Sequence, residues 1–569
     1  LKRVISSHIG TLRVASRSRS TRHRFNIPLT SAAISHAVLY FTYNQHTGNS
    51  DVALCQPQTV SASPSAVKAP VNSSVLEAIK KSIAWIVDLI RLLIRLGLLA
   101  FHFSPAAVTA PALLINSERF EQFWWELVRS GIFASGPCLT KFAQWAATRP
   151  DIFHPRFCKE LEHLQAHSYQ HSWRDTVRTL NAVYGEDWQD ALHLDQRSVT
   201  GSGLIAQVYK GKYVDSETGE HKEVAVKVLH PGVRKAMEAD LVVMRFLAES
   251  IETTAALMAW VGRLGSSNEK ENRLSILETT LSLSDSVEEF REMMLSQLDL
   301  SNEGDAMLRF RRNFSQSKWK DRVIFAEPID LKNSKYAKRH PDVLIESYQH
   351  GQPMADYLTQ RAAEGMRTNP GCVTPSTSCD KSIAALGLDI ILKMIFEDNF
   401  IHGDLHPGNL LLATSCAPKK SPGLVVLDTG LCTELRPQDR QNLILLFKAV
   451  LDRDGARVGR LMIEKSRYKD AKHNVIDAAG FEKSMQQVID DAFCNGLKLR
   501  DRGVSDLLSR VLRLCYKHRV RLESGFASVV LSIGVVEGLG MQLDPEVDVI
   551  SRAAPFILRA AANDCLASS

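Results

Sequence analysis

The first 50 residues contain no aspartate or glutamate. Nowhere do two of the ten cysteines stand as C-x-x-C, and none joins a histidine at zinc-ligand spacing. Between Leu96 and Ile115 there is no formal charge. Unpaired, scattered thiols exclude a zinc module and the disulfide frame of a secreted domain, so the cysteines read as reduced. The acid-free start carries seven basic residues (Lys2, Arg3, Arg13, Arg17, Arg19, Arg22, Arg24), and without them the net charge of +6 becomes 62 − 63 = −1. The body of the chain is therefore neutral. It shows no basic face with interleaved aromatics, so a nucleic-acid partner is not expected. With 45% apolar and 23% charged residues, the composition also excludes a mostly disordered, collagen-like or coiled-coil chain.

What is present divides the 569 residues into segments. Residues 1–55, rich in Arg, Ser and Thr, have the composition of a mitochondrial transit peptide. Residues 56–74 form a Pro/Ser/Ala linker. The spacing predicts a helix over 75–95, where Glu77, Lys81, Asp88, Arg91 and Arg95 line up as one polar stripe beside a broad apolar face. The uncharged run Leu96–Ile115 is long enough to cross a bilayer core, although Pro105 and Pro111 interrupt it. Residues 75–117 are thus expected at a membrane, as a span or as an interfacial helix, with a buried hairpin as the alternative. Residues 118–195 read as a helical, aromatic-rich extension. From 196 to 350 short β-rich runs appear (Val224–Val228, Val343–Ile345), and from 351 to 569 longer helical patterns dominate. Gly265–Arg273 and Glu364–Asp380 read as surface loops.

Four motifs carry the chemistry. His402-Gly403-Asp404 with Asn409 has the spacing H-x-D-x-x-x-x-N, in which the Asp can orient or deprotonate an attacking hydroxyl and the Asn can reach a metal ion. Nineteen residues after Asn409, an apolar run ends in Asp428-Thr429-Gly430, where a carboxylate can hold a phosphate-bridging metal and Gly430 is expected to let the backbone turn. Upstream, Gly201-Ser202-Gly203 leads into Ala206-Gln207-Val208, and small residues let backbone N–H groups approach phosphate oxygens. Val224-Ala225-Val226-Lys227-Val228 then places a Lys inside an apolar strand, where an unpaired ammonium is costly. By spacing, its partner is either Glu238 or Glu303. Leu344-Ile345-Glu346-Ser347-Tyr348 reads as a strand that offers backbone groups to an adenine. The order Gly-loop, Lys, H-x-D-x-x-x-x-N, D-x-G is that of the protein-kinase fold. After Gly430, however, the chain passes almost at once into Pro437 and a helix (Asn442–Leu451), leaving no peptide-docking activation segment.

Over roughly residues 135–550 the chain resembles the UbiB-type atypical kinases, also called aarF-domain-containing kinases. Lys141-Phe142-Ala143-Gln144 is similar to the family's K-x-G-Q motif, with Ala for Gly. Gly201-Ser202-Gly203 stands where the family has an Ala-rich loop, and Lys227 precedes the expected Pro231-Gly232. Gln297-Leu298-Asp299 matches its E-x-D motif with Gln for Glu. The resemblance implies that Glu303 pairs with Lys227, that Lys141, Gln144 and Asp299 belong to a regulatory extension over the site, and that Gln297 supplies no carboxylate there. It also implies a link to coenzyme Q synthesis or mitochondrial lipid metabolism, and ATP hydrolysis with little phosphorylation of proteins.

The expectation is an α+β, two-lobed protein-kinase-like fold with a helical N-terminal extension, binding ATP and Mg2+ and associated with the mitochondrial inner membrane and with proteins of quinone synthesis or lipid metabolism. Asp404 is expected to be catalytic. Gly201, Gly203, Lys227, Glu303 and Glu346 are expected to bind nucleotide, and Asn409 and Asp428 metal. Two competing readings are a small-molecule phosphotransferase, since H-G-D-x-H-x-G-N also resembles the loop of aminoglycoside and choline kinases, and a non-catalytic scaffold switched by nucleotide.

Overall fold

The computed structural model describes residues 72–568 except 116, 150–152, 154, 162–169, 215–218, 266–282, 331–338, 369–375, 414–421, 465–476, 495–503, 519 and 521–523. The expected transit peptide, nearly all of the linker, and residues 266–273 and 369–375 of the two expected surface loops lie outside the described residues. At the edges of those loops Gly265 ends one helix, Met354–Thr368 is helical, and Ser378 begins another helix.

A four-stranded antiparallel sheet, in the order β1-β2-β3-β5, builds the small lobe. Its strands are β1 (Leu192–Ser202), β2 (Ala206–Val214), β3 (His221–Leu229) and β5 (Val343–Ser347), with β4 (Val323–Phe325) lying between β3 and β5 in sequence. Strand β1 opens at Leu192, inside the segment expected to be helical. The run Val224–Val228 is buried because one face packs on Leu180, Trp188 and Tyr209, and the other turns toward helix Leu300–Asn313 and the cleft.

The large lobe holds a second four-stranded sheet, in the order β4-β9-β8-β6, from β6 (Gly351–Pro353), β8 (Leu410–Ala413) and β9 (Leu424–Val426). A two-stranded ladder joins β7 (Ile401–His402) to β10 (Cys432–Thr433). Strand β4 pairs in parallel with β9, and a few residues on the chain bonds to β5 through Ile329 N–H to the Ile345 carbonyl and Ser347 N–H to the Glu327 carbonyl. One short segment thereby stitches the two lobes.

Helix Ser378–Leu392 is started by a reciprocal capping box between Thr377 and Asp380 and continues into a π turn, Lys393–Glu397. Its Ile390, Ile391, Met394 and Ile395 are all buried, so it runs through the core of the large lobe and is not an amphipathic surface helix. Phe310 and Phe325 stack at 5.0 Å in the same core, tying the Glu303 helix to β4. A separate cluster, including Cys138, Met237, Met244, Phe290 and Met294, locks the extension helix Pro137–Ala147 against helices Val233–Gly265 and Leu283–Gln297. This cluster fixes Lys141 relative to the cleft.

Candidate functional site

Strand alternation aims the site's first group. Side chains on a strand point alternately to opposite faces, and directly paired residues share a face. In the β3–β5 ladder Lys227 pairs with Leu344 and Ala225 with Glu346, so Lys227 and Glu346 project from the same face. That face is the wall of a cavity of about 670 Å³ between the lobes, within the range of sites that enclose small ligands.

Lys227 Nζ lies 2.9 Å from both carboxylate oxygens of Glu303 and 3.3 Å from Asp428 Oδ1. Glu238, the other candidate partner, sits exposed on helix Val233–Gly265. Glu303 is reached because Asp299 caps helix Leu300–Asn313, accepting from the Ser301 amide at 3.0 Å, which places Glu303 in the first turn. Thr429 Oγ1 donates to the Glu303 carbonyl at 3.0 Å and fastens that helix to the Asp428 loop.

Asp428 has φ +47°, in the left-handed region that non-glycine residues seldom occupy. Such strain is a mark of functional positions. Gly430 is not at positive φ, so the sharp turn expected of it is made by Asp428 instead. A Cβ on Gly430 would come to 3.1 Å from Asp428 Oδ1 and 3.4 Å from Glu303 Oε2, so the glycine serves close approach. The Gly430 amide donates to Asp428 Oδ1 at 3.2 Å.

His402 fixes the catalytic loop. Its Nε2–H donates to the Leu427 carbonyl at 3.3 Å, which leaves Nδ1 to accept from the Asp404 amide at 3.1 Å. Burial lowers its pKa, in keeping with that neutral tautomer. Asn409 Nδ2 donates to the Asp404 carbonyl at 2.9 Å, while the Asn409 carbonyl accepts from the Leu427 amide at 2.8 Å. Both strands that deliver Asp404 and Asp428 are therefore held in one frame.

Electrostatically the cleft is overfilled with acid. Burial disfavours the Lys227 ammonium, but Asp428 and Glu303 outweigh it and raise its pKa. Asp428 has 48% of its side chain exposed, so what burial it has acts only weakly upward, and Lys227 and the Gly430 amide pull the carboxyl down to about 2. Burial lifts Glu303 to about 7, and Asp428 adds to the lift while Lys227 opposes it. The bidentate contact with a protonated amine favours the ionised carboxylate, so we take Lys227–Glu303 as an ion pair. Glu346 is pushed up to about 8 by burial, then by Glu303, with Lys227 opposing. Its buried Oε2 has no hydrogen-bond partner among the described residues.

Lys141, Gly201, Gly203, Lys227, Glu303, Glu346, Asp404, Asn409 and Asp428 all line the one cavity. Gln144 and Asp299 do not; Asp299 is a helix cap. Lys141 comes from the extension and contributes to lowering Asp428, while the substituted Gln297 also lines the wall. A Cβ on Gly201 would meet nothing within 4 Å, and one on Gly203 only the Ala206 carbonyl at 3.8 Å, so that edge of the cavity is open. The expected hinge differs from the sequence reading. The Ser347 and Tyr348 amides are already spent on the Glu327 and Glu223 carbonyls, and the Glu346 side chain, not only its backbone, faces the cleft. Its signal was legible: a Glu in an apolar strand poses the same burial problem as Lys227.

A histidine relay behind the Gly-loop was not foreseen. His230 Nε2–H donates to the Gly203 carbonyl at 3.0 Å, so His230 Nδ1 must accept from His171 Nδ1–H at 2.7 Å. His171 Nε2 then accepts from Thr176 at 2.8 Å, Thr176 from Tyr209 at 2.7 Å, and Tyr209 from the Gln207 amide at 2.8 Å. Each direction follows from the carbonyl at the end of the chain. Both imidazoles are neutral, and burial holds His171 down to about 4.

The donor set fits a hard cation. Asp428 stays ionised, and the Asn409 amide nitrogen is engaged by Asp404, which leaves its oxygen for another partner. Among the described residues no cluster of three or more His, Cys, Asp or Glu residues forms a metal cage, so a cation here would complete its shell with ligand oxygens.

Comparison with known proteins places these observations in a family. Residues 163–462 match the ABC1 atypical kinase-like domain. A mitochondrial ABC1 family protein of Saccharomyces cerevisiae is 30% identical over 496 residues, covering 78% of this chain and 69% of that protein. A mitochondrial ABC1 family protein of Schizosaccharomyces pombe is 28% identical, covering 83% and 72%. The probable protein kinase UbiB of Glaesserella parasuis is 25% identical, covering 74% and 68%.

Proposed function

Because this chain belongs to the ABC1 atypical kinase-like family, we propose that it is a MgATP-dependent phosphotransferase or ATPase, acting in mitochondria at the inner membrane in support of coenzyme Q synthesis or lipid metabolism. The observation that carries the reading is the meeting of Lys227, Glu303 and Asp428 within 3.3 Å in a cavity also lined by Asp404 and Asn409. Lys227, held by Glu303, binds the phosphates as a point charge. The open edge at Gly201 and Gly203 leaves room for phosphate oxygens to approach the backbone, the Gly203 amide itself being held by the Ala206 carbonyl. Asn409 and Asp428 would hold Mg2+, which neutralises phosphate charge when bound. Asp404 orients the attacking hydroxyl or water and takes its proton. Stabilisation of the moving phosphoryl group is mainly electrostatic and comes from groups already in place. Lys141, reaching the cavity from the extension, occupies space that a peptide substrate would need. The mitochondrial names of the yeast relatives and the acid-free first 50 residues support the location.

The test is phosphate release from ATP by the purified chain, with and without vesicles and quinone-precursor phenols, against Asp428→Asn. Turnover in the parent that is lost in the variant is expected. Equal turnover in both would remove the enzymatic reading, and turnover on a soluble hydroxyl compound alone would redirect it to small-molecule phosphotransfer.

A further inference from the structure

Helix Asn72–Thr109 is built inside out. At 100° per residue, Arg95, Leu99, His102 and Ala106 share one side, and that side faces the protein. Arg95 Nε and Nη2 meet the Asp240 carboxylate at 2.5 and 2.8 Å, and Nη2 also donates to the Ser135 carbonyl. Leu99 and Ala106 are buried, and the Trp124 indole donates to the Ala106 carbonyl at 2.8 Å. Gly131 lets the returning helix Glu118–Ala134 lie close, since a Cβ there would reach 3.1 Å from the His102 carbonyl.

The opposite side carries Ile90, Leu93, Ile94, Leu98, Phe101 and Val108, with Phe101 72% and Val108 78% exposed. An amphipathic helix on a water-facing surface has the reverse arrangement, apolar in and charged out. From Ile86 to Val108 the exposed stripe runs about 33 Å at 1.5 Å per residue. Exposed apolar patches of several hundred Å² mark interaction sites.

The chemistry of the stripe selects its partner. Protein interfaces carry roughly one hydrogen bond per 100–200 Å². Here Ser104 on the stripe already donates to the Phe101 carbonyl at 2.7 Å, and the exposed Arg91 lies at the stripe's edge. Acyl chains require no hydrogen bonds. With Arg95 neutralised by Asp240, residues 72–115 hold Lys80, Lys81 and Arg91 against Glu77 and Asp88, a charge of +3 − 2 = +1, which leans toward an anionic surface. The stretch Leu89–Leu113, mean hydropathy 1.5, is long enough to cross a bilayer. Crossing would draw in its bonded neighbour, helix Glu118–Ala134 with Glu121, Glu126 and Arg129, or break the Arg95–Asp240 pair. Either is costly in hydrocarbon. Lying flat preserves both contacts.

We propose that helix Asn72–Thr109 docks in the plane of one lipid leaflet, its Ile86–Val108 stripe in the acyl boundary and its Arg95 side clamped to the kinase-like body. This deepens the membrane part of the reading above and does not depend on the nucleotide chemistry.

The experiment uses the full chain with vesicles of phosphatidylcholine containing a minor fraction of phosphatidylglycerol. Flotation is expected for the parent and to fall at least about tenfold for Ile90→Glu/Ile94→Glu, the loss of about 1.4 kcal/mol of binding, with an unchanged thermal midpoint because these side chains are exposed. A fluorescent amino acid in place of Ile94 should be quenched by spin labels near the headgroup and not by labels at the chain terminus. Quenching by the deep label would overturn the in-plane arrangement while leaving membrane attachment standing. Flotation unaffected by the double variant would overturn the stripe as the contact. Absence of flotation in the parent, with a dimer that the double variant dissolves, would assign the stripe to a second copy and end the membrane reading. ATP turnover of the same variants, measured without vesicles, reports separately on the cleft.

Discussion

Lys227 and Arg95 are both half-sunk cations fastened to a carboxylate on a neighbouring helix, yet they are opposites in charge balance. Arg95 meets one acid, Asp240, and one carbonyl, and the contact is complete. Lys227 faces Glu303, Asp428 and, further off, Glu346, and Lys141 adds positive charge at Asp428. A balanced pair holds two helices together. An unbalanced one presents negative charge to whatever enters the cleft. Surplus charge, not burial, distinguishes chemistry from scaffold in this molecule.

The largest effect should come from the surplus side. Asp428→Asn removes a carboxylate held down to about 2, and ATP turnover should drop by about 10²–10³-fold in phosphate-release assays, with the thermal midpoint retained.

Next, the two pairs should respond differently to being replaced whole. Removing one partner of a buried pair costs about 3–5 kcal/mol, whereas exchanging both for apolar residues is often neutral. Arg95→Met alone should therefore destabilise the chain, and Arg95→Met/Asp240→Leu should recover most of the loss in denaturant unfolding. Lys227→Met/Glu303→Leu can recover stability in the same way but should leave no nucleotide binding by calorimetry. Recovery of binding in that double variant would erase the distinction between the pairs.

A smaller effect concerns pH. In the unfolded chain a Glu ionises near 4.5, whereas Glu346 in the fold keeps its proton to about 8. Between those values the fold binds the extra proton, so the stability of the nucleotide-free chain falls as pH rises through that window. Glu346→Gln should flatten the fall, seen as a thermal midpoint less sensitive to pH than the parent's.

The smallest effect is on the relay that holds Gly203. Thr176→Val deletes two hydrogen bonds, to His171 and from Tyr209, of about 1 kcal/mol each, and the KM for ATP should rise about 2- to 5-fold with kcat little changed. His171 is protonated near 6.5 when unfolded and near 4 in the fold. Its contribution is complete above about 6.5 and is lost as pH drops toward 4, and the variant should shift that acid limb.

Much of the cleft was legible because its motifs are local. H-x-D-x-x-x-x-N and D-x-G each bring their groups together within a few residues of backbone, and the apolar run around Lys227 announces that the ammonium needs a partner. The choice between Glu238 and Glu303 was not legible from spacing, since it depends on which helix packs over β3. The relay was hidden because His171, Tyr209 and His230 are far apart in sequence and meet only when the extension closes on β2. The 75–95 segment reads as a polar stripe beside an apolar face, but nothing local indicates that Arg95 turns inward to Asp240 while Ile86, Ile90, Leu93 and Ile94 stay exposed.

By itself the sequence determined the period of each element and the identity of the phosphate-handling groups, because strand alternation, helix periodicity and tight loops are short-range properties of the backbone. Only the tertiary structure decided which charges face each other. It gave Lys227 two carboxylates, left Glu346 Oε2 without a hydrogen-bond partner among the described residues, and buried Arg95 against Asp240 so that an apolar face was left outside. Electrostatic balance depends on through-space distance, and no pattern along the chain encodes distances between segments a hundred residues apart.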